Sequence, residues 1–167
     1  MLALILVVTA IIFRFIPHIA NFTPILAIAL FGGAYLKNWK YALLLPLVLM
    51  MVTDTFLGVH NTIIFTWGSL LLVAGLGMLL RKKKNPLNIA LSAFSSAVMF
   101  FIITNFGVWI MGWYPRTIDG LISCYTLAIP FFRTTMASTL VFSFVLFGVY
   151  ELAARRVKET SLAKALL

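Results

Sequence analysis

Apolar runs fill nearly all of this chain, at about residues 2–16, 22–36, 41–57, 62–80, 87–111 and 121–152, each set off from the next by polar residues, Pro or Gly. About 20 helical residues cross the hydrocarbon of a bilayer, about 30 Å. In water the chain could not hide its side chains: 63% of its 167 residues are hydrophobic and 10% charged, against about 45–50% and 25% in a soluble domain. The mean hydropathy is +1.09. The runs predict an all-α integral membrane protein, a single six-helix transmembrane domain over residues 1–167. That leaves no room for an appended catalytic or ATP-hydrolysing domain.

Two runs depart from the simple pattern. The first two are short for a bilayer, so their polar junction, Arg14 to Asn21, is expected to sit below the membrane surface, and a recessed junction makes a cavity. The last run is too long for one crossing. Pro130 lacks the N–H that a continuing helix needs, which predicts an outer segment Leu121–Ala128 and a span over 131–152, with Arg133 in its first turn. Asn21 reads as the N-cap of a helix with Pro24 in its first turn.

Net charge is +9, which in a soluble chain would raise the question of nucleic acid. Here placement answers otherwise. Lys37, Lys40, Arg81, Lys82, Lys83, Lys84, Arg155, Arg156, Lys158 and Lys164 all fall in alternate gaps or the C-terminal tail, the side that stays cytoplasmic by the positive-inside rule. Both termini are therefore expected in the cytoplasm of a multi-pass protein of a bacterial-type inner membrane, with the bilayer rather than nucleic acid as its partner. The N-terminus lacks a basic region and a small-residue cleavage site, so it reads as a retained helix. Cys124 is the single cysteine and reads as a small buried hydrophobe.

Sorting the residues that could do chemistry by expected depth places nearly all of them on the outer side: Arg14, His18, Asn21, Asp54, His60, Asn61, Asn105, Trp109, Trp113, Tyr114, Arg116, Asp119, Tyr125 and Arg133. An ionisable group within the bilayer costs about 2.5–3.5 kcal/mol on insertion scales and faces an interior or wet cavity. Asp54 and Arg133 are the most obvious partners of each other. Bland readings stand beside these: Arg14 snorkelling to headgroups, the Trp and Tyr residues as an interfacial belt. No G-x-x-x-x-G-K-[ST], H-E-x-x-H or G-x-S-x-G motif is present. What remains is a ligand-binding membrane protein. The alternatives are a small outer-leaflet enzyme with Asp54 and His18 or His60 as acid–base groups, or a structural membrane subunit.

Several motifs look familiar: Arg14-Phe15-Ile16-Pro17-His18, Asn21-Phe22-Thr23-Pro24, Ala29-Leu30-Phe31-Gly32-Gly33-Ala34, Thr53-Asp54 with Leu57-Gly58, Phe101 to Trp109, and Ala128-Ile129-Pro130-Phe131-Phe132-Arg133 leading to Leu146-Phe147-Gly148-Val149-Tyr150-Glu151-Leu152. Over nearly its whole length the chain resembles a family of small six-helix membrane proteins described as transporters. That family is similar to the substrate-binding S-components of energy-coupling-factor vitamin transporters, most closely the solitary cobalamin type. The resemblance implies uptake of a vitamin-like micronutrient, with cobalamin or a related corrinoid as transported ligand rather than intrinsic cofactor. It implies pocket roles for His18, Asp54 and Arg133, His18 contacting the cobalt through the corrinoid, with Phe22, Trp67, Trp109 and Tyr125 against the corrin face. Asn21, His60 and Asn105 complete the expected substrate-binding set. The cysteine that the cobalamin type carries after the aspartate is replaced here by Trp67 or its neighbours. An energy-coupling transmembrane and ATPase module is the implied partner, docking on the small residues Ala29, Gly32, Gly33 and Ala34.

Overall fold

Polar punctuation in the sequence becomes helix capping in the computed structural model, which describes residues 20–58 and 61–158 together with Ala3, Val8 and Ile12. Five α-helices fall among the described residues: α1 (Ile25–Tyr35), α2 (Trp39–Leu57), α3 (Ile63–Leu79), α4 (Pro86–Ile110) and α5 (Ile118–Lys158), with a 3₁₀ turn, Leu80–Lys82, closing α3. The Asn38 side chain caps α2 by accepting from the Lys40 N–H at 2.9 Å. Asn85 caps α4 by accepting from Asn88 at 2.7 Å, with Pro86 at the first helical position, where a missing N–H costs nothing. Gly58 and Gly112 end α2 and α4 at φ +105° and +85°, backbone that L side chains rarely adopt.

The all-α class holds, and four helices, α2 to α5, are long and apolar enough to cross a membrane. The chain is a multi-pass helical membrane protein. Helices α2, α3 and α4 lie within two residues of the expected 41–57, 62–80 and 87–111. The run at 2–16 falls mostly outside the described residues.

Two expectations are corrected. First, the run at 22–36 forms a helix of only 11 residues, about 16 Å, half a hydrocarbon core. Second, Pro130 does not divide the last run: α5 is one helix of 41 residues running through it. Arg133 therefore lies mid-helix rather than in a first turn. Proline forfeits one backbone bond, but packing on α4 holds both sides of the break. The Phe101 ring sits 5.5 Å from Tyr125 before Pro130 and 4.8 Å from Phe132 after it, and the Tyr125 hydroxyl donates to the Ile102 carbonyl at 2.6 Å.

The four long helices pack in chain order, α2 on α3, α3 on α4, α4 on α5, and α1 touches all of them. Every residue from Leu26 to Ala34 is buried. A helix that is apolar all round belongs inside a core, and Phe31 anchors it with an edge contact to Phe147 at 5.4 Å. Against α3 the backbones meet with no side chain between them. A Cβ on Gly33 would lie 2.1 Å from the Ala74 carbonyl oxygen, and one on Gly77 2.2 Å from that of Leu30.

Candidate functional site

The C-terminal end of α1 is held by a dense set of polar contacts. Arg81 reaches across from the turn after α3 and donates to the carbonyls of Gly33 (2.9 Å), Leu36 (2.7 Å) and Lys37 (3.3 Å). The Tyr35 hydroxyl donates to Glu151 of α5 at 2.5 Å, beneath the Lys84 ammonium, 5.2 Å from the ring centroid. Charges this dense lie at a membrane surface. From that end α1 extends only about 16 Å, half the thickness of a hydrocarbon core. Ahead of it Asn21–Pro24 is non-helical backbone, which within a bilayer is tolerated only inside protein or against a cavity.

The break has a defined geometry. Asn21 adopts φ +63°, a left-handed conformation that Asn accepts more readily than most residues. It is therefore not the N-cap. Pro24 holds that position without a side-chain cap, its carbonyl accepting from the Ile28 N–H at 2.8 Å. The Asn21 carbonyl accepts from Ser138 on α5 at 3.4 Å, and Phe22 packs on Phe142 at 5.6 Å, which seats the break on α5.

Beside the break lies a cavity of about 130 Å³ between α4 and α5. Asn21 forms its edge. From α4 come Phe100, Phe101, Thr104 and Asn105, and from α5 Ala128, Phe131, Phe132 and Thr135. The two hydroxyls spend their protons on their own helices, Thr104 donating to Phe100 at 2.8 Å and Thr135 to Phe131 at 2.9 Å, so toward the cavity they are acceptors. Asn105 gives one amide proton to the Phe101 carbonyl at 2.8 Å. Among the described residues, no charged side chain lines this cavity.

Asp54 forms a second polar centre. It is 3% exposed near the C-terminal end of α2, and its Oδ2 accepts from Trp67 Nε1 of α3 at 3.1 Å. The expected pairing with Arg133 is not what forms here: Arg133 is exposed on α5, and α1 packs against both α2 and α5. Trp109 is drawn into the α4–α5 connection, donating to the Pro115 carbonyl at 3.0 Å, and Tyr125 is bonded to α4. Cys124 is buried, its thiol donating to the Asn105 carbonyl at 3.4 Å. His18, Arg14 and His60 lie outside the described residues. The structure thus joins Asn21 to Asn105 and Asp54 to Trp67. Sequence reasoning missed Thr104 and Thr135. The signal was the hydroxyl spacing Thr135, Ser138, Thr139 and Ser143, one buried face of an otherwise apolar helix.

Membrane-length helices packed around a short buried one, with a small polar cavity beside its N-terminal end, define a helical membrane protein. The chain belongs to a family of unknown function, DUF6580, whose profile matches residues 1–162. No curated protein and no solved structure matches it.

Proposed function

We propose that the chain is the substrate-binding subunit of an uptake system, capturing a vitamin-like micronutrient in an outward-facing pocket of a bacterial-type inner membrane. The observation that supports this reading most is the break before α1: uncapped, ahead of a helix only half a hydrocarbon core long, beside a polar cavity. Broken helices at the midplane are how transporters hold polar substrates in lipid. With the Lys and Arg cluster cytoplasmic and the run at 2–16 as a further span, six helices place both termini inside, the cavity opens outward, and an energy-coupling transmembrane and ATPase module drives release.

Cobalamin or a related corrinoid is the candidate substrate by resemblance, with His18, Asp54 and Arg133 at its edge. A cavity of about 130 Å³ is far below the roughly 300–1,000 Å³ of a whole-ligand site, so it takes one arm of such a molecule. The test is thermal unfolding of the full chain in nanodiscs with cobalamin, riboflavin, biotin or thiamin. One of them at 100 times its Kd raises stability by about 2.7 kcal/mol. Asp54→Asn, which removes the charge that Trp67 holds in place, weakens that ligand tenfold or more. No shift with any of the four, together with uptake in an auxotroph that is unchanged by Asp54→Asn, overturns the reading.

A further inference from the structure

The hydrogen-bonding inventory of the cavity at the α1 break specifies what it accepts. With their protons bonded to their own helices, Thr104 and Thr135 offer only lone pairs. Asn105 keeps one N–H and its carbonyl oxygen after its bond to Phe101. The Asn21 side chain makes no hydrogen bond among the described residues, only its backbone carbonyl being engaged, by Ser138. Among the described residues the lining therefore offers both donors and acceptors and no formal charge. Phe100, Phe101, Phe131 and Phe132 make the remaining wall apolar. Among these described residues an entering carboxylate meets no cation and an ammonium no anion, so either is desolvated without a partner, at a large penalty. A wholly apolar group would leave the amides unsatisfied.

Size narrows the choice. At roughly 30 Å³ per water in the liquid, about 130 Å³ holds about four or five non-hydrogen atoms, the content of a short carbon stem bearing a carboxamide. A primary amide carries two donors and an acceptor with two lone pairs, the complement of two Thr lone pairs and two Asn side chains.

We infer that this cavity is a subsite for a neutral primary-amide arm of a larger substrate, with Asn105 and Thr135 as its specificity-determining residues. The inference rests on the uptake reading for the rest of that substrate. Its test uses three probes with a three-carbon skeleton, the neutral amide propionamide, the anion propionate and the cation n-propylamine, followed by saturation-transfer NMR on the full chain in nanodiscs. Propionamide binds at least tenfold more tightly than either charged analogue, and Asn105→Leu and Thr135→Val each weaken it at least tenfold. Thr135→Val keeps the side-chain shape and guards against a variant that merely fails to fold. Equal binding of propionate or propylamine, no binding of propionamide because water alone fills the cavity, or indifference to both substitutions overturns the assignment. If the chain retains a micronutrient that bears no amide, this inference fails while the uptake reading stands. If propionamide binds as stated but no micronutrient binds or enters the cell, the uptake reading fails and the amide subsite stands.

Discussion

Gly33→Ala and Gly77→Ala each destabilise the fold by about 3 kcal/mol, the upper range for overpacking a filled interior. The added methyl has no room. At Gly33 it would lie 2.1 Å from the Ala74 carbonyl oxygen and at Gly77 2.2 Å from that of Leu30, both backbone atoms on helices that cannot yield locally. The helices must separate, and because α1 touches every other described helix, a shift of one edge is felt through the whole core. Two other glycines of α3 are the controls. Gly68 and Gly75 face open space, so Gly68→Ala and Gly75→Ala change stability little or raise it by up to about 1 kcal/mol. Denaturant or thermal unfolding of the four variants in one detergent checks the contrast. Equal behaviour of Gly33→Ala and Gly75→Ala would refute the close approach of α1 and α3.

Arg81→Met costs about 3–5 kcal/mol and loosens α1 before the rest of the bundle. The last carbonyls of a helix have no partner of their own, and here one guanidinium serves that of Gly33 in the last turn, that of the C-cap Leu36 and that of Lys37 just beyond. Hydrogen bonds to charged groups contribute about 1.5–3 kcal/mol each, and a fork of donors shares one ordering cost among three bonds. Arg81→Lys restores little, since a point ammonium cannot span three carbonyls. Replacing the neighbouring Lys82 or Lys83, both exposed, leaves stability within about 0.5 kcal/mol. Hydrogen exchange resolves the order of events: amides of Ile28–Tyr35 lose protection first in Arg81→Met, while those of α4 keep theirs.

Class and span boundaries were legible because they depend on composition and on local chemistry. Asn38 and Asn85 sit where an N-cap is needed, and between such caps the apolar runs had to be helical. The departures arise where packing overrules a local rule. Asn21-Phe22-Thr23-Pro24 is apolar enough to extend α1, yet a left-handed Asn21 seated on Ser138 turns the chain before Ile25. Pro130 carries a stop signal, yet Phe101 packs across it. At the site, scarcity of polar groups located Asn21, Asn105 and Asp54. The bond from the Trp67 indole to Asp54 was beyond its reach, since a charge-matching argument passes over an indole. Thr104 and Thr135 escaped notice because a hydroxyl bonded to its own helix looks like filler until a cavity is found beside it. Arg81 was read as one charge among four, since only tertiary structure reveals three carbonyls within its reach.

The claim that the broken helix serves a substrate has one direct measurement: native mass spectrometry of the full chain, released from nanodiscs formed straight from the expressing membrane in micronutrient-replete cells. The account predicts a stoichiometric adduct of one small molecule, largely lost in Asp54→Asn and in Asn105→Leu while both variants keep the wild-type unfolding midpoint without ligand. A wild-type chain that flies bare of any small molecule, or an adduct equally abundant in both variants, would contradict it.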